Sequence, residues 1–317
     1  MINEKNKLCA FAAFSLILAT APLYLNSYWV DVLNSVGLYA ILALSLNIIL
    51  GDAGLYNMGH AAFFAVGAYT AAYLNTQFGL PILWALPVSG IVAGLAGLLV
   101  ARPVVHLRGD YLLIVTVGVG EILRIALIND VFGLTGGPNG IFGIDRPVLF
   151  GFKIRKPQEF FYLIWGFVAV TIFLFYRLKN SRFGRALDYL REDMTAAEGS
   201  GIDTGRYQLY AFMVGAAWAG MAGTLYASKM SIISPESFSF WESVVIFIIV
   251  ILGGSGNIAG VLLGTFLIIG LPELFRGFAN ARMWFFGLAM MIMMIFRTEG
   301  ILPHRPRVFK SLDRQRP

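Results

Sequence analysis

The chain is poor in cysteine, histidine and charge. Cys9 is the one cysteine in 317 residues, so an internal disulfide and a thiolate metal set are both excluded. The three histidines, His60, His106 and His304, stand too far apart to share a metal-ligand spacing. The pair Gly-Lys never occurs, which removes the phosphate-cradling loop whose lysine follows a glycine. Charged residues make up 13% of the chain, where a soluble domain carries about 25%. With that little charge and so much apolar surface, disorder is excluded too.

What fills the space is apolar. Hydrophobic residues reach 58%, and there are 35 glycines; the mean hydropathy is +0.73. A membrane-spanning helix needs about 20 apolar residues, and glycine is frequent where such helices pack closely. The class is all-α: a polytopic membrane protein. Apolar runs fall near 8–25, 30–50, 55–75, 81–100, 110–128, 160–178, 207–228, 242–253, 257–275 and 283–297, which predicts about ten transmembrane helices in one membrane domain over 1–317. Lys5 and Lys7 precede the first run, and Ala19-Thr20-Ala21 looks like a cleavage box. The run is longer than the ~7–15 residues of a signal core, and Pro22 would follow the cut, so a retained first helix is expected.

The net charge of +6 belongs, in such a chain, to loops facing the cytoplasm and not to nucleic acid. With the N-terminus inside and the spans alternating, the inward segments hold sixteen of the Lys and Arg residues and the outward ones seven. That bias predicts both termini in the cytoplasm. Two connections are long: an outer loop at about 129–159 and a cytoplasmic loop at about 179–206.

Two breaks look alike. Ile48-Ile49-Leu50-Gly51 leads into Gly51-Asp52-Ala53-Gly54, and Val250-Ile251-Leu252-Gly253 leads into Gly253-Gly254-Ser255-Gly256. Each reads as a tight turn that needs glycine or as a trace of internal duplication. Gly254 to Ala259 also matches a loose dinucleotide pattern, but no βαβ unit surrounds it. Gly256, Gly260 and Gly264 share one helix face, as a dimer or gate contact or as internal packing.

Ionisable residues at membrane depth are functional candidates. Glu121 falls within the fifth run, and Arg124 shares its face three residues on; a pathway role and a structural pair are both open. Asn57 and His60 open the third run, where His60 suits a hydrogen bond between helices. For Glu242 and Glu273, near run ends, interfacial solvation is expected. In the cytoplasmic loop, Arg185 to Glu198 reads as one short helix stopped by Gly199 and Gly201, exposed and without a pocket, with Asp203 or Thr204 capping the next span. Such a helix suits docking to a cytoplasmic protein.

Glu192-Asp193-Met194-Thr195-Ala196-Ala197-Glu198-Gly199-Ser200-Gly201 resembles the coupling loop of ABC-importer permeases, with Ala196, Ala197 and Gly201 in register. Gly54-Leu55-Tyr56-Asn57-Met58-Gly59-His60-Ala61-Ala62-Phe63-Phe64, Leu107-Arg108-Gly109-Asp110-Tyr111, Thr135-Gly136-Gly137-Pro138-Asn139-Gly140, Ala219-Gly220-Met221-Ala222-Gly223 and Gly253-Gly254-Ser255-Gly256-Asn257-Ile258 resemble the LivM-type permeases of branched-chain amino-acid importers. The resemblance extends over about residues 35–300 and implies the ABC-importer permease fold. It also implies a multi-pass subunit of the bacterial inner membrane that conducts leucine, isoleucine or valine and hydrolyses nothing itself. The implied partners are a second related permease, two cytoplasmic ATPase subunits and a periplasmic binding protein, in a lipid bilayer and with no cofactor. Coupling would fall to Glu192, Asp193, Ala196, Ala197 and Gly201, and pathway or gate roles to Asn57, His60, Glu121, Gly256 and Gly260. Urea and short-amide importers use a similar permease, so those substrates stay open. A self-sufficient secondary transporter is the competing reading of another class.

Overall fold

The computed structural model describes residues 20–303 except 106, 108, 132, 150, 275–286, 288–290 and 292–299. Most of the first expected span and nearly all of the last lie outside the described residues, as do Cys9, His106 and His304. The described helices are α1 (Ser27–Asn47, extended by a π turn at Ile48–Asp52), α2 (His60–Phe78), α3 (Ile82–Val104), α4 (Asp110–Ile128) and α5 (Pro157–Lys179). There follow α6 (Arg182–Glu192), α7 (Met194–Gly199), α8 (Thr204–Met230), α9 (Phe240–Gly253), α10 (Ile258–Thr265, continued by a π turn at Phe266–Gly270) and α11 (Leu271–Leu274).

Six of these segments are long and apolar enough to cross a membrane: 27–52, 82–104, 110–128, 157–179, 204–230 and 235–253. The chain is therefore a multi-pass membrane protein. The expected count of about ten is not reached among the described residues. The run at 257–275 is a shorter apolar unit, 258–274. The run at 55–75 begins late, because residues 53–59 are not helical and α2 starts only at His60.

Helix directions follow from paired contacts. Asn34 Nδ2 donates to the Pro157 carbonyl at 2.9 Å, and Lys179 pairs with Asp52 at 2.9 Å at the other end, so α1 and α5 run parallel. Lys229 pairs with Asp31 at 3.0 Å, so α8 returns antiparallel to α1. In lipid there is little hydrophobic drive between helices, so close packing must hold them. Here it comes from small residues. A Cβ on Gly67 of α2 would overlap the Gly220 backbone of α8, one on Gly220 would overlap Ala93 of α3, and one on Gly97 of α3 would overlap Ala216. The Ser89 and Thr224 hydroxyls join the same crossing by a hydrogen bond.

At the end opposite α6, the 136–142 segment seats on the α8–α9 connection. Strand β1 (Ile141–Phe142) pairs antiparallel with β4 (Ile232–Ile233), and a short hairpin joins β2 (Val148–Leu149) to β3 (Phe152–Lys153). Gly140, at φ +75°, admits the Ile233 carbonyl where any Cβ would overlap it. Asp130 accepts from the Thr135 amide at 2.7 Å and its hydroxyl at 2.9 Å. Those donors hold the Asp130 carboxyl below the usual carboxylate range.

Gly220→Leu, which drives a side chain into Ala93 and the Ser89 backbone of α3, should prevent recovery of a monodisperse membrane fraction; overpacking at yielding sites costs about 1–3 kcal/mol, and backbone yields least. Gly166→Leu on α5 has open space within 4 Å and should elute as the unmodified chain does. Equal recovery of both variants would contradict the small-residue crossing.

Candidate coupling and pathway site

The segment after α5 is built by caps. The Ser181 side chain accepts from the Gly184 amide and opens α6. Asp193 is extended (φ −152°, ψ 107°), so α6 stops there, and its carboxylate accepts from the Thr195 and Ala196 amides at 2.9 and 3.1 Å to open α7. The single helix expected over Arg185–Glu198 is thus two helices at an angle, because Asp193 serves as the end of one and the N-cap of the next. Gly201, at φ +82°, turns the chain out of α7. Asp203 then caps α8 through the Arg206 amide at 3.1 Å, resolving the choice between Asp203 and Thr204. Thr204 instead donates its hydroxyl to Glu198 at 2.8 Å.

The expectation of an exposed helix without a pocket is corrected. Ala186, Leu187 and Leu190 of α6 are buried against the bundle. The bend at Asp193 leaves a groove of about 490 Å³ lined by Tyr189, Glu192, Asp193, Ala196, Ser200 and Ile202. Glu192, Asp193, Ala196 and Gly201 are exposed, and Ala197 is buried beneath them. The five expected coupling residues therefore lie together, as a capped ledge with a concave face.

Behind the ledge the two chain breaks meet. Asn47 Oδ1, buried, accepts from the Gly256 amide at 2.8 Å, and a Cβ on Gly51 would overlap both Asn47 and Gly256. Arg191 Nη1 donates to the Gly51 carbonyl and, at 3.4 Å, to the Ser255 carbonyl; its Nη2 donates to Ser255 Oγ at 3.2 Å. Lys179 Nζ donates to Asp52 at 2.9 Å and to the Gly256 carbonyl. Sequence reasoning counted Lys179 and Arg191 only for orientation. It missed Asn47, because the partners are 64 to 209 residues apart. The one signal was the lead-in that both breaks share.

Gly256 sits in this break at φ +84° and not on a helix face. Gly260 and Gly264 pack inside the α9–α10 hairpin, where a Cβ would overlap the Gly253 carbonyl or press the Ile249 carbonyl. Of the two readings of this glycine series, internal packing describes Gly260 and Gly264. Asn257 caps α10 through the Ala259 amide at 3.1 Å, and its Nδ2 donates to the Leu302 carbonyl at 3.1 Å.

Deeper in the bundle, the non-helical 53–59 stretch ends in a polar cluster. Ser45 donates its hydroxyl to the Leu42 carbonyl at 2.7 Å and lies 2.7 Å from His60 Nε2. The serine hydrogen is spent on Leu42, so His60 Nε2 carries the ring proton and donates to Ser45. Nδ1 then faces Asn57 Nδ2 at 3.5 Å. The histidine makes a contact between α1 and α2, as the sequence suggests. Asn57 Oδ1 accepts from the Gly59 amide at 2.9 Å, Thr116 Oγ1 from Met58 at 3.1 Å, and Ser243 Oγ from Ala61 at 2.9 Å. The amides of Met58, Gly59 and Ala61, around the start of α2, thereby gain side-chain partners.

Glu121 borders a shallow cleft between α4 and this cluster, with Met58, Ala61, Gly120, Ser239 and Ser243. Arg124 reaches it at 2.9 Å, the expected intrahelical pair. The apolar window of α4 is only 11% buried, against 78% for α1, so α4 turns most of its surface away from this chain. Glu242 is half-buried and accepts from Tyr39 Oη at 2.6 Å, and Glu273 accepts from Tyr28; both gain protein partners beyond the expected solvation. Arg276, three residues after Glu273 in the sequence, lies outside the described residues. Among the described residues no group of three or more His, Cys, Asp or Glu could hold a metal ion.

A family model described as branched-chain amino acid transport system / permease component matches residues 28–297. The chain is 41% identical over 317 residues to the high-affinity branched-chain amino acid transport system permease protein LivM of Escherichia coli (strain K12), covering 92% of this chain and 74% of that protein. It is 27% identical to the probable branched-chain amino acid transport permease protein LivM of Methanocaldococcus jannaschii, covering 88% and 94%. It is also 27% identical to the permease protein LivH of Escherichia coli (strain K12), covering 74% and 80%. No solved structure matches.

The capping analysis predicts that Asp193→Ala, which removes both acceptor contacts at α7, costs about 1 kcal/mol locally. Amide exchange over 195–199 should quicken about fivefold while exchange in α8 stays unchanged. Unaltered exchange over 195–199 would contradict the cap.

Proposed function

We propose that this chain, which belongs to the branched-chain amino acid transport permease family, is the membrane-spanning subunit of an ATP-driven importer and forms the translocation pathway for leucine, isoleucine and valine. The observation that carries the coupling half of this reading is the ledge at Glu192–Gly201: capped, concave, exposed, and joined to both chain breaks. The names of the relatives carry the substrate half, and their LivM and LivH pairing supports a second, related permease as partner. The sparsely buried α4 supplies a face for such a partner, with Glu121 on the pathway side.

In this reading the chain lies in the bacterial inner membrane with both termini cytoplasmic, in line with its Lys and Arg distribution. A periplasmic binding protein delivers substrate to the end bearing the β1–β4 seat. Two ATPase subunits hydrolyse ATP, and one presses on the groove beside Glu192 and Asp193. The chain contributes no reacting group. It contributes an element with two arrangements, biased by the docked ATPase. Asn57, in the first break, and His60, just after it, lie along the route, and Gly256, in the second break, belongs to its inner gate.

The test is ATP-driven uptake by the complete importer in proteoliposomes. Radiolabelled leucine should accumulate only with ATP inside and binding protein outside. Gly201→Trp, or Glu192→Lys with Asp193→Lys, should lower uptake about tenfold, equivalent to about 1.4 kcal/mol, with normal membrane insertion. Accumulation driven by a proton or sodium gradient without ATPase subunits would overturn the proposal, as would uptake of urea with exclusion of all three amino acids.

A further inference from the structure

We infer that Arg191 and Lys179 form a transmission latch, a pair of positioning residues that make the two chain breaks move with the docking ledge. The inference rests on the proposed function and deepens it.

The argument starts from orphan carbonyls. A helix that ends inside a membrane protein leaves C=O groups that need donors. Gly51 belongs to the first break, and Ser255 and Gly256 to the second. All three carbonyls are taken by two cations. Arg191 spans both breaks at once, and its guanidinium fork suits that geometry, presenting several donors in one plane. Lys179 takes the second break while Asp52, beside the first, balances its charge at 2.9 Å; both side chains are mostly buried, at 17% and 13% exposure. Asn47 closes the set by accepting from Gly256. The second break is thus held to the first through its amide and its carbonyls together.

The position of Arg191 gives the arrangement its direction. It is the penultimate residue of α6, directly before Glu192 and Asp193, which line the groove. A rigid shift of the ledge moves Arg191, and Arg191 cannot move without dragging Gly51 and Ser255. A purely structural clasp would hold the same bonds, but its loss would lower folding and not the economy of transport.

The experiment reads ATP hydrolysed per leucine imported, using the complete importer in proteoliposomes. Arg191→Gln should raise that ratio about tenfold, with binding-protein-stimulated hydrolysis within about twofold of the unmodified importer, while Arg191→Lys, able to reach one break, gives an intermediate ratio. An unchanged ratio, or uptake and hydrolysis falling in proportion, would overturn the latch. If Arg191→Gln fails to assemble, Ser255→Ala decides: it deletes one hydrogen bond without stranding a charge, and should raise the ratio about twofold or more, an unchanged ratio overturning the latch. An unmodified importer with no ATP-driven uptake would overturn the proposed function and the latch together. A coupled unmodified importer with indifferent variants would overturn the latch alone.

Discussion

A backbone that leaves the helix inside hydrocarbon must find a partner for every freed amide and carbonyl, and this requirement organises the rest of the molecule. Among the described residues two such breaks follow Asp52 and Gly253. At the first break the amides of Met58, Gly59 and Ala61 are met by Thr116, Asn57 and Ser243. At the second, Asn47, Arg191 and Lys179 do the same work. Non-helical backbone within a membrane protein survives only where protein answers it, and here side chains from distant parts of the chain supply the partners. That is why a polar serine, histidine and asparagine stand in otherwise apolar helices.

The helices around the breaks are held by contact and not by water exclusion. Gly67, Gly97, Gly220 and Gly223 bring α2, α3 and α8 to backbone contact, leaving α2 buried along most of its length. The result is a rigid block with α4 on its margin.

Much of the fold was legible because its signals are local. The run at 110–128 coincides with α4, and the runs at 30–50, 160–178 and 207–228 fall within a few residues of their helices, since apolar length sets span length. The Glu121–Arg124 pair followed from spacing, and the cap of α8 was narrowed to Asp203 or Thr204. The break at Asp193 in the helix expected over Arg185–Glu198 did not follow, because a charged residue in a charged helix reads as solvated until its carboxylate is seen to accept two amides. The groove followed from that bend and was missed with it. Arg191, Lys179 and Asn47 were illegible for another reason: each meets a partner that only the tertiary fold brings near, and a cation beside a span looks the same whether it serves orientation or structure.

Docking ledge, latch and breaks together form one continuous polar element through the end of an apolar bundle, and its central property is that it moves as a body. The direct test places spin labels on exposed Tyr56 of the first break and Thr195 of α7, in a Cys9→Ser background, and a second pair on Tyr56 and exposed Tyr111 of α4. Distances are measured by electron resonance with and without ATP in the complete importer. The account predicts a fixed Tyr56–Thr195 distance and a changed Tyr56–Tyr111 distance. A Tyr56–Thr195 distance that changes with ATP while Tyr56–Tyr111 stays fixed would contradict it.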